Sequence, residues 1–400
     1  MKKHSTFIKG ALCGALIMFI IVAIGACSDL EKYIPFLSSS QESTTDPIDD
    51  TVEKKIKSLQ QYINVYYLGD VDEESLQEGI YAGFIAGLND PYSVYYTKEE
   101  TNALYEMTTG EYSGIGAVLS QDASTGIISI ARVYSDSPAN EAGFMKDDLL
   151  YKVDGEEVTG IDINTVVTWI KGLEGSEVEI TVLRGDDMEE ITQVLKRRKI
   201  QIETVEYEML AGKIGYLLLS EFDGVSYTQY VNAIEDLKSQ GMKGLIVDLR
   251  DNGGGSLSTV IDILDYMLPE GLIVYTEDKN GHREEANSDE ANQFNLPLVV
   301  LVNGYTASAS EIYAGAIQDY ELGTIVGEQT YGKGVVQQIF DLDDGTSVKL
   351  TISQYFTPKG RSIQGEGITP DVVVEYVRDE DNEEADNQLD KAIEVIKTEF

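Results

Sequence analysis

The chain is poor in the residues on which much enzyme chemistry depends. Its 400 residues include two cysteines, two histidines and one tryptophan. Both cysteines, Cys13 and Cys27, lie in the first 27 residues, so the rest of the chain has no disulfide, thiol nucleophile or cysteine zinc site. The histidines are His4, near the N-terminus, and His282, in a polar Gly-His-Arg stretch. That inventory argues against a serine–histidine–aspartate triad and against a transition-metal site. Positive charge is also scarce: 30 lysines and arginines face 70 aspartates and glutamates, a formal charge of −40. Nucleic-acid binding needs a basic face, so no nucleic-acid partner is expected. The carboxylates at 379–386 lack EF-hand spacing and read as a solvated tail. Gly253-Gly254-Gly255 is not followed by Gly-Lys-Ser/Thr, which argues against a phosphate cradle. No cofactor is expected.

What is present is ordered in blocks. Lys2 and Lys3 precede an apolar run at 10–26, the pattern of an export signal. Residues 1–27 read either as an uncleaved signal anchor or as a lipoprotein signal with Cys27 as the lipidated residue. Both place the body of the chain outside the cytoplasm, tethered to a bacterial cell membrane. Residues 28–50 form a linker, rich toward its end in Ser, Thr, Asp and Pro. Residues 51–110 read as a helical module, with Val52, Ile56, Leu59 and Ile63, then Leu76, Ile80, Phe84 and Leu88, at helical spacing. Short β-rich runs with one helical pattern fill 111–198. From 199 to 378 strands and helices alternate, and 379–400 holds the acidic segment and a C-terminal helix. The fold class is multidomain α/β.

One stretch carries candidate chemistry. A buried strand at 297–302 leads through a turn of small residues into a helical pattern at 308–319. Ser308 stands where helix N-terminal amides lie close by. Without a histidine, its base is sought in a lysine whose pKa desolvation lowers, and Lys333 sits between Gly332 and Gly334. Gln337 follows. A Ser-x-x-Lys hydrolase is a poor match, because the third residue after Ser308 is Glu311.

These residues, with Asp248-Leu-Arg-Asp-Asn-Gly-Gly-Gly255 and Tyr355-Phe-Thr-Pro-Lys-Gly-Arg-Ser-Ile-Gln-Gly365, resemble the C-terminal processing (tail-specific) serine peptidases, which carry an embedded PDZ domain. The resemblance runs from about residue 50 to the C-terminus. It implies a mixed β/α catalytic core of the ClpP/crotonase-like type, with Ser308 as nucleophile, Lys333 as general base and Gln337 orienting the lysine. By the same resemblance Gly254 and Ala309 supply the oxyanion-hole amides. Ser310 is the rival nucleophile, disfavoured because the interval from Ser308 to Lys333 matches the family. Gly253 and Asp251 stand where proline and asparagine are common, which predicts a more flexible loop. Ser137-Pro-Ala-Asn-Glu-Ala-Gly143 and Asp147-Asp-Leu-Leu150 match the PDZ signature, and Gly114, Ile115 and Gly116 would then hold a peptide carboxylate. Val166, Val167 and Ile170 either line that pocket or belong to the core. The expected partners are protein or peptide substrates with free C-termini, the membrane, and a second copy if the helical module, which the resemblance makes a cap or a dimerisation element, serves as the latter. A membrane-tethered PDZ scaffold with an inactive peptidase fold is the alternative.

Overall fold

The computed structural model describes residues 48–400, apart from 186, 290, 379–381, 383 and 384. The leader with Cys27, most of the linker and part of the acidic tail lie outside the described residues. Two compact units divide after Glu73. In the first, Asp49 accepts hydrogen bonds from the amides of Thr51 and Val52 and starts the helix Asp50–Tyr66, none of whose residues is buried. Among the described residues no helix is long and apolar enough to cross a membrane.

The division falls at the first residue of the helix Glu73–Ala86, the rest of which opens the second unit and is followed by the short strand Val94–Tyr96. The next helix, Lys98–Thr109, starts at a reciprocal cap: the Thr97 hydroxyl accepts from the Glu100 amide while the Glu100 carboxylate accepts from the Thr97 amide. The chain then leaves for the PDZ domain and returns through a two-stranded stalk, Glu111–Gly114 paired antiparallel with Arg198–Gln201. The PDZ sheet has Ala117–Gln121 at one edge, followed by Ile128–Val133, Leu149–Val153, Glu177–Arg184 and Glu189–Lys196. Its core holds Ile115, Val166 and Ile170, with Ile128, Val153 and Ile180. The helix Ile163–Ile170 is tied to the edge strand by Gln121, which donates to the Ile161 carbonyl (2.7 Å) and accepts from the Ile163 amide (3.2 Å).

The body of the chain from 199 to 378 is the mixed β/α arrangement expected from the alternating pattern. Parallel strands Ile214–Leu219, Gly244–Asp248, Leu298–Val302, Thr324–Gly327 and Val372–Val373 lie side by side, with Val205–Leu210 antiparallel at one edge. Gly244–Asp248 and Leu298–Val302 are buried throughout, which explains why they read as unbroken apolar runs rather than alternating ones. Helices Ser226–Ser239, Leu257–Met267 and Ala309–Asp319 contribute their buried faces to one apolar cluster with the sheet. Asn387–Lys397 packs Ala392 and Ile396 against Ile246 and Val299 in a second cluster. A second sheet joins Val94–Tyr96, Gly271–Asp278, Arg283–Ser288, Val335–Asp341 and Ser347–Phe356.

Candidate functional site

The site is assembled where the buried strand Leu298–Val302 ends. The Thr306 hydroxyl accepts from the Asn303 amide (2.9 Å) and donates to the Leu249 carbonyl (2.8 Å), fastening the turn to the neighbouring strand's end. Ser308 follows with φ 56° and ψ −118° and lies at the head of the helix Ala309–Asp319. A non-glycine residue held there costs of order 1–3 kcal/mol and persists only where its surroundings fix it. Glu311 does the fixing. This fully buried carboxylate accepts from the Ser308 amide (2.8 Å), the Lys333 amide (2.9 Å), the Gly332 amide (2.7 Å) and the Thr330 hydroxyl (2.5 Å). One side chain thus ties the serine turn to the lysine loop. In the sequence Glu311 serves only to exclude a Ser-x-x-Lys enzyme; its local signals are an acid in a helix's first turn and the Ser-x-x-Glu spacing of a helix cap.

The lysine loop is held from its other side by the 355–365 motif. The Gln364 side chain accepts from the Gly334 amide (2.8 Å), and the Gly365 amide donates to the Gly332 carbonyl (2.8 Å). A Cβ on Gly334 would come within 2.2 Å of the Gln364 nitrogen, so only glycine fits beside the lysine. The Tyr355 hydroxyl donates to the Lys333 carbonyl. Arg361 and the Lys359 amide both bond Asp319 (2.6 and 2.8 Å), anchoring the motif to the end of the serine helix.

Ser308, Ala309, Lys333 and Gln337 line one cleft of about 660 Å³. Ser310 is fully buried and its hydroxyl donates to the Asn252 carbonyl (3.1 Å), so of the two candidate serines Ser308 is the one that lines the cleft. Burial in the cleft wall pushes the Lys333 ammonium below its ordinary pKa, and the nearby Lys349 cation adds to the effect; Asp90 and Glu311 oppose it. The lysine and serine are not hydrogen-bonded to each other: the Lys333 Nζ lies 4.9 Å from the centroid of the Tyr92 ring. Gln337 donates to the Val335 carbonyl (3.2 Å), not to the lysine.

The glycine loop is held by hydrogen bonds to segments distant in sequence. Asp251 has φ 60° and exchanges two hydrogen bonds with the Asn303 side chain (3.0 and 2.9 Å). The fully buried Asn252 donates to the Leu219 carbonyl (2.7 Å), and its own carbonyl accepts from the Ala307 amide (3.0 Å). A Cβ on Gly254 would lie 2.8 Å from the Ser308 Cβ and 2.9 Å from the Ala309 nitrogen, so glycine keeps open the space beside that first helical amide. The Gly254 N–H, however, donates to the Asn252 side chain (2.8 Å).

In the PDZ domain Gly114 ends the stalk strand, Ile115 is buried in the core, and Gly116 takes φ 77°. The Ile115 and Gly116 carbonyls accept from the Ala139 and Tyr134 amides (2.8 and 3.0 Å). Val166 and Ile170 are core, and Val167 is half-buried.

Three segments match known families: residues 213–374 peptidase family S41, 129–184 a PDZ domain, and 11–101 the domain described as the activating protease CtpB N-terminal domain. The sequence is 34% identical over 361 residues to the carboxy-terminal processing protease CtpA of Bacillus subtilis (strain 168), spanning 90% of this chain and 77% of that one. It is 34% identical over 354 residues to the carboxy-terminal-processing protease of Bartonella bacilliformis, spanning 85% and 80%. Among solved structures, the photosystem II D1 C-terminal processing protease aligns with a TM-score of 0.47 at 30% identity, covering 80% of this chain and 86% of that one.

Proposed function

Because the chain belongs to peptidase family S41 and is a serine peptidase of the carboxy-terminal processing kind, we propose that it cleaves protein substrates near or from their C-termini through an acyl-enzyme on Ser308, with Lys333 as general base. The observation that carries this reading is the Glu311 carboxylate, which ties the Ser308 and Lys333 amides together at one cleft. In the reaction the neutral Lys333 amine leaves the Tyr92 ring and takes the Ser308 hydroxyl proton as the oxygen attacks the scissile carbonyl. Gln337 orients the amine. The oxyanion is met by the Ala309 amide and by the Gly254 amide, which exchanges its Asn252 partner for the substrate. Lys333 passes the proton to the leaving amine, and water then hydrolyses the acyl-enzyme.

The PDZ domain gives this chemistry a way to select tails. The edge strand Ala117–Gln121 beside the helix Ile163–Ile170 suits the addition of a peptide strand, with the 114–116 loop taking the carboxylate. The body acts outside the cytoplasm, held to the membrane by residues 1–27.

The test incubates the chain and its Ser308→Ala and Lys333→Ala variants with an unfolded protein ending in apolar residues. Fragments are read by mass spectrometry. Cleavage by the parent alone is expected. Full activity in either variant removes these assignments, and tail binding without cleavage by the parent favours a PDZ scaffold.

A further inference from the structure

One buried group in the cleft has no part in the reaction above. Asp223 is 2% exposed, and neither of its carboxylate oxygens has a hydrogen-bond partner. Its backbone is fixed, the amide bonded to the Ser226 hydroxyl (2.9 Å) and the carbonyl to the Ser226 amide (3.1 Å), so the side chain alone is left unsatisfied. Unpartnered buried polar groups are uncommon and costly. Gly110 makes room for this one, since a Cβ there would lie 2.8 Å from the Asp223 Oδ2.

Glu221 lines the same cleft two residues earlier. Between the two acids, the Phe222 amide donates to the Gly254 carbonyl (2.9 Å) and its carbonyl accepts from the Ser256 amide (2.7 Å). The acids are thereby fixed relative to the glycine loop, and so to the scissile carbonyl. Leu104, Met107 and Leu257 supply apolar wall nearby, suited to the alkyl stem of a long cationic side chain.

We propose that, within the peptidase reading on which this rests, Glu221 and Asp223 form a subsite for a lysine or arginine side chain at one fixed position from the scissile bond. A cation entering there gives Asp223 the partner it lacks and also meets the exposed Glu221 carboxylate. Among the described residues no group of three or more metal-ligating side chains exists, which favours an organic cation over a metal ion. Burial and the Glu221 charge push the Asp223 carboxyl up to about 7. Binding a cation therefore expels a proton, and affinity strengthens as pH rises through that value. The other charged groups on the cleft are Lys333 and Lys349.

The full chain as Ser308→Ala is titrated with peptides ending in apolar residues. Each carries one lysine, or its uncharged mimic norleucine, at successive positions. At one position lysine is expected to bind about tenfold more tightly than norleucine, the preference growing from about pH 6 to about pH 8 and vanishing in an added Asp223→Asn. Glu221→Gln, on the cleft rim, is expected to halve the preference or more and serves if Asp223→Asn fails to fold. Equal binding at every position, or a preference that survives these substitutions, overturns the subsite. Binding is read without turnover, so a parent chain that cleaves nothing would sink the peptidase reading while the subsite result stays legible.

Discussion

At Lys333, burial and the Lys349 cation draw the pKa down while Asp90 and Glu311 draw it up. In the proposed role of general base Lys333 must be neutral, so kcat/KM should rise with pH below the ordinary lysine range. Lys349→Met removes a repelling cation and should move that rise to higher pH, by up to about one unit; Lys349→Arg should leave it in place. An unmoved pH profile in Lys349→Met would show that burial alone sets the base. Asp223 has the opposite linkage. Its folded pKa of about 7 lies above the ordinary aspartate value, so the folded chain binds the extra proton and stability falls as pH rises from about 4 to about 7. Asp223→Asn should therefore raise Tm at pH 8 and do so little at pH 4. A Tm gain equal at both would place the effect in packing instead.

Among the elements, the serine turn, the lysine loop and the glycine loop depend on one another more than on their own sequences. Gly254→Ala should fill the space beside the Ala309 amide and cost about 10²–10³ in kcat, the typical loss for one oxyanion donor, with circular dichroism unchanged. Glu311→Gln replaces an acceptor of four hydrogen bonds by a group that must turn a donor toward some of them. Cleavage should collapse with the fold kept, whereas near-parental kcat would mean that the turn and loop hold without it. Ser308, Lys333 and Gln337 were legible as candidates because their types and order carry a family resemblance, and the structure brings them to one cleft. Glu311, Asn252 and Thr306 were not, because each acts through hydrogen bonds to backbone far away in sequence. The bonds of Asp251 to Asn303 and of Asn252 to Leu219, which hold the glycine loop, were hidden for the same reason: they are tertiary.

At the scale of the whole molecule, the PDZ domain reaches the core through the two-stranded stalk, at whose base the Ile202 amide donates to the Gly110 carbonyl (2.8 Å). Removing residues 112–197 should change cleavage rate or tail preference; unchanged kinetics and specificity would leave the domain without a part in selection. The C-terminal helix is locked differently. Arg250 joins the buried Asp248 to Asp386 (2.5 and 2.8 Å) and also bonds Gln388 (3.2 Å). Arg250→Ala leaves Asp248 buried without its cation and should cost about 3–5 kcal/mol in denaturant unfolding.

By itself the sequence determined the alternation of strand and helix, the order of the modules and the inventory of possible nucleophiles and bases. These follow from local periodicity, turn chemistry and residue type, which neighbours along the chain carry. Only the tertiary structure decided that Lys333 rests against Tyr92 rather than Ser308, that the Gly254 amide is already bonded, and that Asp223 is buried in the cleft without a partner. Those outcomes depend on burial and on hydrogen bonds between segments distant in sequence, and neither is encoded in any one stretch.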